Sequence, residues 1–202
     1  MRGDNRMRDV KIKIALTGKM RSGKDTVGRY AVEKYGMVRF AFGDGLKRNF
    51  HKEYPHIPKD PKPVRGYQLY GQLMRYVKDE NIWVDECFKS INYTKKVADD
   101  YRKYFNEETT TPFMPVITDL RQPNEYERCV AEGFTIIRVH CPNKIRLERI
   151  QTTGDNVSME DLDFETEKHV DGFKVDYEID NSVSLQDLYA QFAEIMEELR
   201  SE

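Results

Sequence analysis

The nine residues GKMRSGKDT, Gly18 to Thr26, constrain this chain more than any other stretch. VKIKIALT at 10–17 precedes them, alternating and then turning apolar, as a strand entering a buried sheet does. After them Val27, Tyr30, Ala31 and Tyr35 recur at helical spacing, and the pattern stops at Gly36. A strand that runs through a glycine-rich turn straight into a helix is half of a parallel α/β unit. Backbone N–H groups in such a turn form an anion nest, and the helix start adds partial positive charge. The pattern G-x-x-x-x-G-K ends on Lys24, a point charge suited to β- and γ-phosphates. The next position is ordinarily Ser or Thr, whose hydroxyl takes Mg²⁺. Here it is Asp25, with Thr26 one place later.

The rest of the chain continues the alternation. MVRFAF, MPVITD (114–119), FTIIRVHC and VDYEIDN read as strands. GDGLKRNFHKEY, VRGYQLYGQLMRYVKD (64–79), a stretch from near Glu80 to about Phe105, QPNEYERCVAEG, NKIRLERIQ and SLQDLYAQFAEIMEELR read as helices, the last with Ser184 as N-cap. PHIPKDPKP is an extended connector. Strands alternating with helices predict an α/β fold of three layers, a central parallel sheet with helices on both faces. Two pieces stand outside the alternation, a helical block at 43–112 and a polar segment at 151–174. In a P-loop kinase these are the places of the acceptor-binding insertion and the lid. The expected organisation is a mobile tail at 1–9 and one domain at 10–202.

Composition excludes several classes. With 33 basic and 35 acidic residues the net charge is −2, which argues against broad nucleic-acid binding while leaving room for a local basic pocket. Cys87, Cys129 and Cys141 are odd in number and form no C-x-x-C pair, so they read as reduced thiols of a cytoplasmic protein. No apolar run approaches a membrane span, and MRGDNRMRD leads into no signal-type core. No membrane partner is expected.

Outside the loop, four features carry chemistry. Asp119 closes a strand at the sheet's carboxyl edge, where it can hold Mg²⁺, and Arg121 two residues on can reach a phosphate. Asn124 and Glu125 can orient Arg121, with Asn124 equally readable as a cap. Arg65, Gln68, Gln72 and Arg75 share one helix face. A solvated stripe and a face that reads a base and a phosphate are equally good explanations. Arg146 and Arg149 are either a surface pair or closers on a transferring phosphoryl group. The four histidines have no metal-ligand spacing.

Taken together, GKMRSGKDT, FAFGDGLK, RGYQLYGQLMRYVKDENIW, VITDLRQPNEYERCVAEGFTIIRV and VDYEIDN resemble, in order, the motifs of bacteriophage-type deoxynucleoside monophosphate kinases. The resemblance spans roughly residues 11 to 199. SGKDT is characteristic there, so Asp25 is a family feature, and D-x-R-x-PNE is the most specific piece. FGDGLK departs from a pattern closer to FADPLK. The segment from Pro142 to Val170 is more acidic than related lids, leaving Arg146 and Arg149 as its phosphate candidates.

The resemblance implies transfer of the ATP γ-phosphate to a deoxynucleoside 5′-monophosphate. Gly18, Arg21, Ser22, Gly23, Lys24, Asp25 and Thr26 would bind ATP, and Asp25, Thr26 and Asp119 would hold Mg²⁺. Asp44, Lys47, Arg65, Gln68, Gln72, Arg75, Trp83 and Arg121 would serve the acceptor. Lys24, Asp119, Arg121, Arg146 and Arg149 would act on the transferring group. Rival readings are a dephospho-coenzyme A or phosphomevalonate type of kinase, and a nucleotide-binding regulatory protein without phosphoryl transfer. A GTPase is disfavoured, since N-K-x-D is absent and DLRQ lacks the glycine of D-x-x-G. The expected partner is a small-molecule nucleotide, with a slight leaning towards a homodimer.

Overall fold

A computed structural model describes residues 12–105, 112–152 and 169–201. Its strands are β1 (Ile14–Thr17), β2 (Val38–Phe40), β3 (Pro115–Leu120), β4 (Thr135–His140) and β5 (Tyr177–Asp180). They form one sheet in the order β2-β3-β1-β4-β5 with parallel pairing throughout. Ile14 faces Val116 on one side and Thr135 on the other, so the glycine-rich turn leaves the sheet from its middle strand. All four β1 residues are buried, as a strand covered on both faces requires.

The helices are α1 (Lys24–Tyr35), α2 (Phe42–Glu53), α3 (Val64–Val77), α4 (Ile82–Phe105), α5 (Pro123–Ala131), α6 (Asn143–Thr152) and α7 (Leu185–Ser201). The two-residue period of β1 sorts them into layers. Ile14 and Leu16 pack with Val27 and Ala31 of α1 and with Leu188, Phe192 and Met196 of α7. Ala15 points the other way, into a cluster with Val84, Phe88 and Ile91 of α4 and Cys129 of α5. A third cluster, Phe50, Tyr70 and Trp83, belongs to the helical insertion alone. The expected three-layer α/β architecture with its insertion is thus present.

Boundaries shift where side chains compete for the backbone. The strand expected to run through Phe42 ends at Phe40, because Asp119 takes the N–H groups of Phe42 and Gly43 at 2.8 and 2.9 Å and starts α2 there. Ser184 caps α7 as expected, its Oγ accepting the Asp187 N–H at 3.1 Å. The tail at 1–9 and most of the lid-like segment, 153–168, lie outside the described residues. The end of that segment includes a 3-10 turn, Val170–Gly172.

Candidate active site

The loop between β1 and α1 has the backbone its glycines imply. Gly18 and Gly23 take φ of 139° and 107°, and Arg21 is also left-handed at 62°. A side chain at Gly23 would meet Asn181 Nδ2 at 2.2 Å, and one at Gly18 would meet the Val139 carbonyl oxygen at 2.4 Å. The loop is therefore wedged between the ends of β4 and β5. Asn181 fixes it further, donating from Nδ2 to the Ser22 carbonyl at 2.7 Å. Lys24 lies buried along the loop, its ammonium bonded to the Gly18 carbonyl and, at 2.8 Å, to that of Lys19. Ser22 Oγ is buried with no hydrogen-bond partner among the described residues. A shaped anion nest holding an unused hydroxyl fits the phosphates of ATP.

From this loop a single cavity of about 620 Å³ runs towards α3. Arg21, Gly23, Lys24, Asp25 and Thr26 line its loop end, Asp119, Arg121 and Lys47 its middle, and Gln68, Arg75 and Trp83 its far end. Eight arginine and lysine side chains face it against three carboxylates. The near-neutral chain thus gathers a strongly cationic pocket, the local exception that its net charge of −2 conceals.

Asp119, Arg121 and Glu125 form the bridge between the two ends. Asp119 anchors α2 through both oxygens, so one carboxylate holds the insertion onto β3 while facing the cavity. Glu125 is buried. Its Oε2 accepts the N–H groups of Arg121 and Gln122, both at 2.9 Å, and its Oε1 lies 3.6 Å from Arg75 Nη2. Gln122 and Glu125 make a capping box at the start of α5. Asn124 donates to the Glu80 carbonyl and to Asn81 Oδ1, both at 3.0 Å, tying α5 to the α3–α4 turn. The P-N-E sequence thereby locks Arg121's backbone and α3 into one frame.

Burial, and then the charge of Asp119, push the Glu125 carboxyl up to about 7 against its two backbone hydrogen bonds and Arg75. A raised carboxyl pKa means that the fold favours the protonated form. That stabilisation is complete below the ordinary value near 4.5 and is lost as pH rises through about 7. Glu125→Gln keeps the capping geometry and stays neutral. Relative to the parent it should gain about 1–3 kcal/mol of stability between pH 5 and pH 8. Urea unfolding of both proteins at the two pH values checks this. A difference that does not change with pH would mean that Glu125 ionises normally.

Several expected site residues stand elsewhere. Asp44 pairs with Arg39 at 2.8 Å and Lys47 at 3.7 Å and does not line the cavity, whereas Arg39 does. On α3 the lining positions are 64, 67, 68, 71 and 75, and Arg65 and Gln72 fall outside them. The facing side is thus turned about 60° from the middle of the polar stripe, at 100° per helical residue. Gln68 Oε1 is buried and lacks a hydrogen-bond partner among the described residues. Arg146 is buried and committed to the loop, Nε donating to the Met20 carbonyl at 2.7 Å, and is not part of the cavity wall. Arg149 does line it, reaching the Arg21 carbonyl and Asn181 at 3.3 Å. Both arginines brace the loop from α6.

Sequence reasoning missed Asn181, Arg39 and Lys62, all lining residues. Asn181 had a signal, its place directly after the last strand in VDYEIDN. For metal binding, no group of three or more His, Cys, Asp or Glu side chains gathers among the described residues. Asp25, Thr26 and Asp119 nonetheless all line the cavity with hard oxygen donors. That set suits Mg²⁺, which keeps waters and takes much of its coordination from phosphates.

Sheet order, glycine loop and helix together define a P-loop nucleotide-binding fold of the kinase type. The chain belongs to the AAA domain family, whose model matches residues 14–168. Among solved structures it is similar to shikimate kinase from Bacteroides thetaiotaomicron, with 14% identity, a TM-score of 0.53, and 93% of this chain and 98% of that one covered. It is also similar to dephospho-CoA kinase from Campylobacter jejuni, at 17% identity and a TM-score of 0.52, with 94% and 97% covered. A gluconokinase from Sinorhizobium meliloti 1021 follows at 16% and 0.50, with 95% and 97% covered. At these identities the likeness is one of fold. No curated protein matches the chain by sequence.

Proposed function

We propose that this protein transfers the γ-phosphate of ATP to a deoxynucleoside 5′-monophosphate. The observation that carries the reading is the single cavity joining a phosphate loop to a polar, aromatic pocket through Asp119 and Arg121. Phosphoryl transfer asks little covalent chemistry of a protein. It needs donor and acceptor in line, negative charge neutralised and water kept out. The loop and Lys24 take the donor phosphates, and Arg121 meets the charge that develops between donor and acceptor. Asp25, Thr26 and Asp119 would hold Mg²⁺, which supplies charge neutralisation across the phosphates.

A base-bearing acceptor is favoured over shikimate and gluconate by the far end of the cavity. Gln68 offers an unsatisfied amide oxygen for a base N–H, Trp83 an aromatic wall and Arg75 a cation held by Glu125. The resemblance of its motifs to those of phage-type enzymes is a further support for this reading. A coupled assay of ADP release against a panel of nucleoside and deoxynucleoside monophosphates, with shikimate, gluconate and dephospho-CoA included, tests it. At least one deoxynucleoside monophosphate should stimulate release well above the ATP-only rate. Stimulation by one of the other acceptors alone would replace this reading, and no stimulation by any would leave a nucleotide binder.

A further inference from the structure

We propose that Lys62 is a phosphate-binding residue of the acceptor site, carried by the proline connector between α2 and α3 to join Lys47 and Arg121 around a phosphate monoester dianion. The inference rests on the reading that the cavity beyond the loop takes a phosphorylated acceptor. Lys62 stands between Pro61 and Pro63, whose rings fix the backbone on either side, and its carbonyl accepts the Val64 N–H at 2.8 Å where α3 begins. The connector is thus set to deliver this one side chain, and Lys62 lines the main cavity although its segment runs over the surface.

The charges around Lys62 are the second observation. Lys47, Arg121 and Arg21 line the same cavity as Lys62, and Asp25 lines it too. No ion pair joins Lys62 to a carboxylate among the described residues. Lys62 is exposed to solvent, yet it lines the same cavity as these three cations. Partial burial first, then Lys47 and Arg121, hold its ammonium below the ordinary lysine range. Such an arrangement is unfavourable in an empty pocket and becomes favourable when a dianion enters. Lys47 also borders a second cavity, of about 450 Å³, whose walls include Arg48, His51, Lys52 and Lys59. Positive surface therefore extends outward from the proposed phosphate position, along the path by which an anionic acceptor would arrive.

The consequence is selectivity for what the acceptor carries. A hydroxyl acceptor without phosphate gains nothing from three converging cations, whereas a monophosphate gains a charge-assisted hydrogen bond from each. Lys62→Met and Lys62→Arg, compared with the parent by equilibrium binding, test this. The ligands are deoxynucleoside monophosphates, the matching nucleosides, ribose 5-phosphate and ATP. The parent should bind a monophosphate more tightly than its nucleoside. Lys62→Met should weaken monophosphate binding roughly 10- to 100-fold, the range of one charge-assisted hydrogen bond. Nucleoside and ATP binding should stay unchanged, and Lys62→Arg should restore most of the loss. Parent-like monophosphate binding by Lys62→Met overturns the proposal, as does an equal loss of ATP binding, which would move Lys62 to the donor side. If the parent binds ribose 5-phosphate but no nucleotide, and Lys62→Met loses that binding, the Lys62 assignment stands and the nucleotide reading falls. If the parent binds no phosphate monoester, the proposal fails outright.

Discussion

Lys24→Met is expected to lower turnover by a factor on the order of 10³ or more while the protein stays folded. In the structure the ammonium is buried and bonded to the carbonyls of Gly18 and Lys19, so it waits inside the loop that would enclose the donor phosphates. Methionine fills nearly the same volume without charge. It forfeits hydrogen bonds worth about 1–3 kcal/mol, partly offset because a buried cation no longer has to be desolvated. The loop keeps its shape by other means: Gly18 and Gly23 in left-handed conformations, Asn181 on the Ser22 carbonyl, and Arg146 on the Met20 carbonyl. ATP binding should therefore weaken less than turnover falls, since the backbone nest survives and only the charge matched to the transferring group is gone. Steady-state kinetics, ATP titration and thermal unfolding of the variant separate these effects. Turnover close to the parent would remove the loop from the chemistry.

The parts of this site that the sequence discloses are those fixed by local backbone demands. Gly18 and Gly23 are needed because the turn requires positive φ and because Asn181 and Val139 press against it, and a glycine spacing records such needs directly. The alternation of β1 likewise discloses a strand buried on both faces, and from the order of strands and helices the parallel sheet follows. The α3 face is different. Its polar stripe is visible in the sequence, but which edge turns inward is set by Leu46 against Gly71 and Trp83 against the Gly71 carbonyl, contacts from two other helices. Hence Gln68 and Arg75 reach the cavity while Arg65 and Gln72 do not.

The same limit explains Asp119, Arg146 and Lys62. A carboxylate at a strand end can cap a helix or face a ligand, and in this fold it does the first with both oxygens while lining the cavity. Arg146 and Arg149 stand three apart on α6, yet Arg146 is absorbed by the Met20 carbonyl and the Asn143 side chain, and only Arg149 shows in the wall. Lys62 sits in a connector whose prolines announce extension and nothing about direction. In each case the deciding partner is remote in the sequence, and no local pattern encodes it.

Trp83→Ala is expected to combine a large loss of stability with a loss confined to the acceptor side. Trp83 is 1% exposed and packs with Phe50 and Tyr70, the three buried residues of the insertion's own core. Truncating a buried tryptophan costs about 3–5 kcal/mol, a large share of the 5–15 kcal/mol of a typical domain. Its indole Nε1 also donates to the Gly71 carbonyl at 3.2 Å, and Gly71 lies between Gln68 and Arg75 on α3. Losing the side chain should loosen that helix and raise the acceptor KM by about tenfold or more, the effect of roughly 1.4 kcal/mol. The donor loop is supported by a different cluster, that of Ile14, Leu16, Val27 and Ala31, so the KM for ATP should hold. Trp83→Phe separates packing from the hydrogen bond, retaining much of the first and losing the second, and should fall between the two proteins on both measures. Urea unfolding together with KM for each substrate gives the result. If stability falls while both KM values stay at parent levels, the insertion core is structural only. If both rise together, donor and acceptor sites share a support that the separate clusters do not reveal.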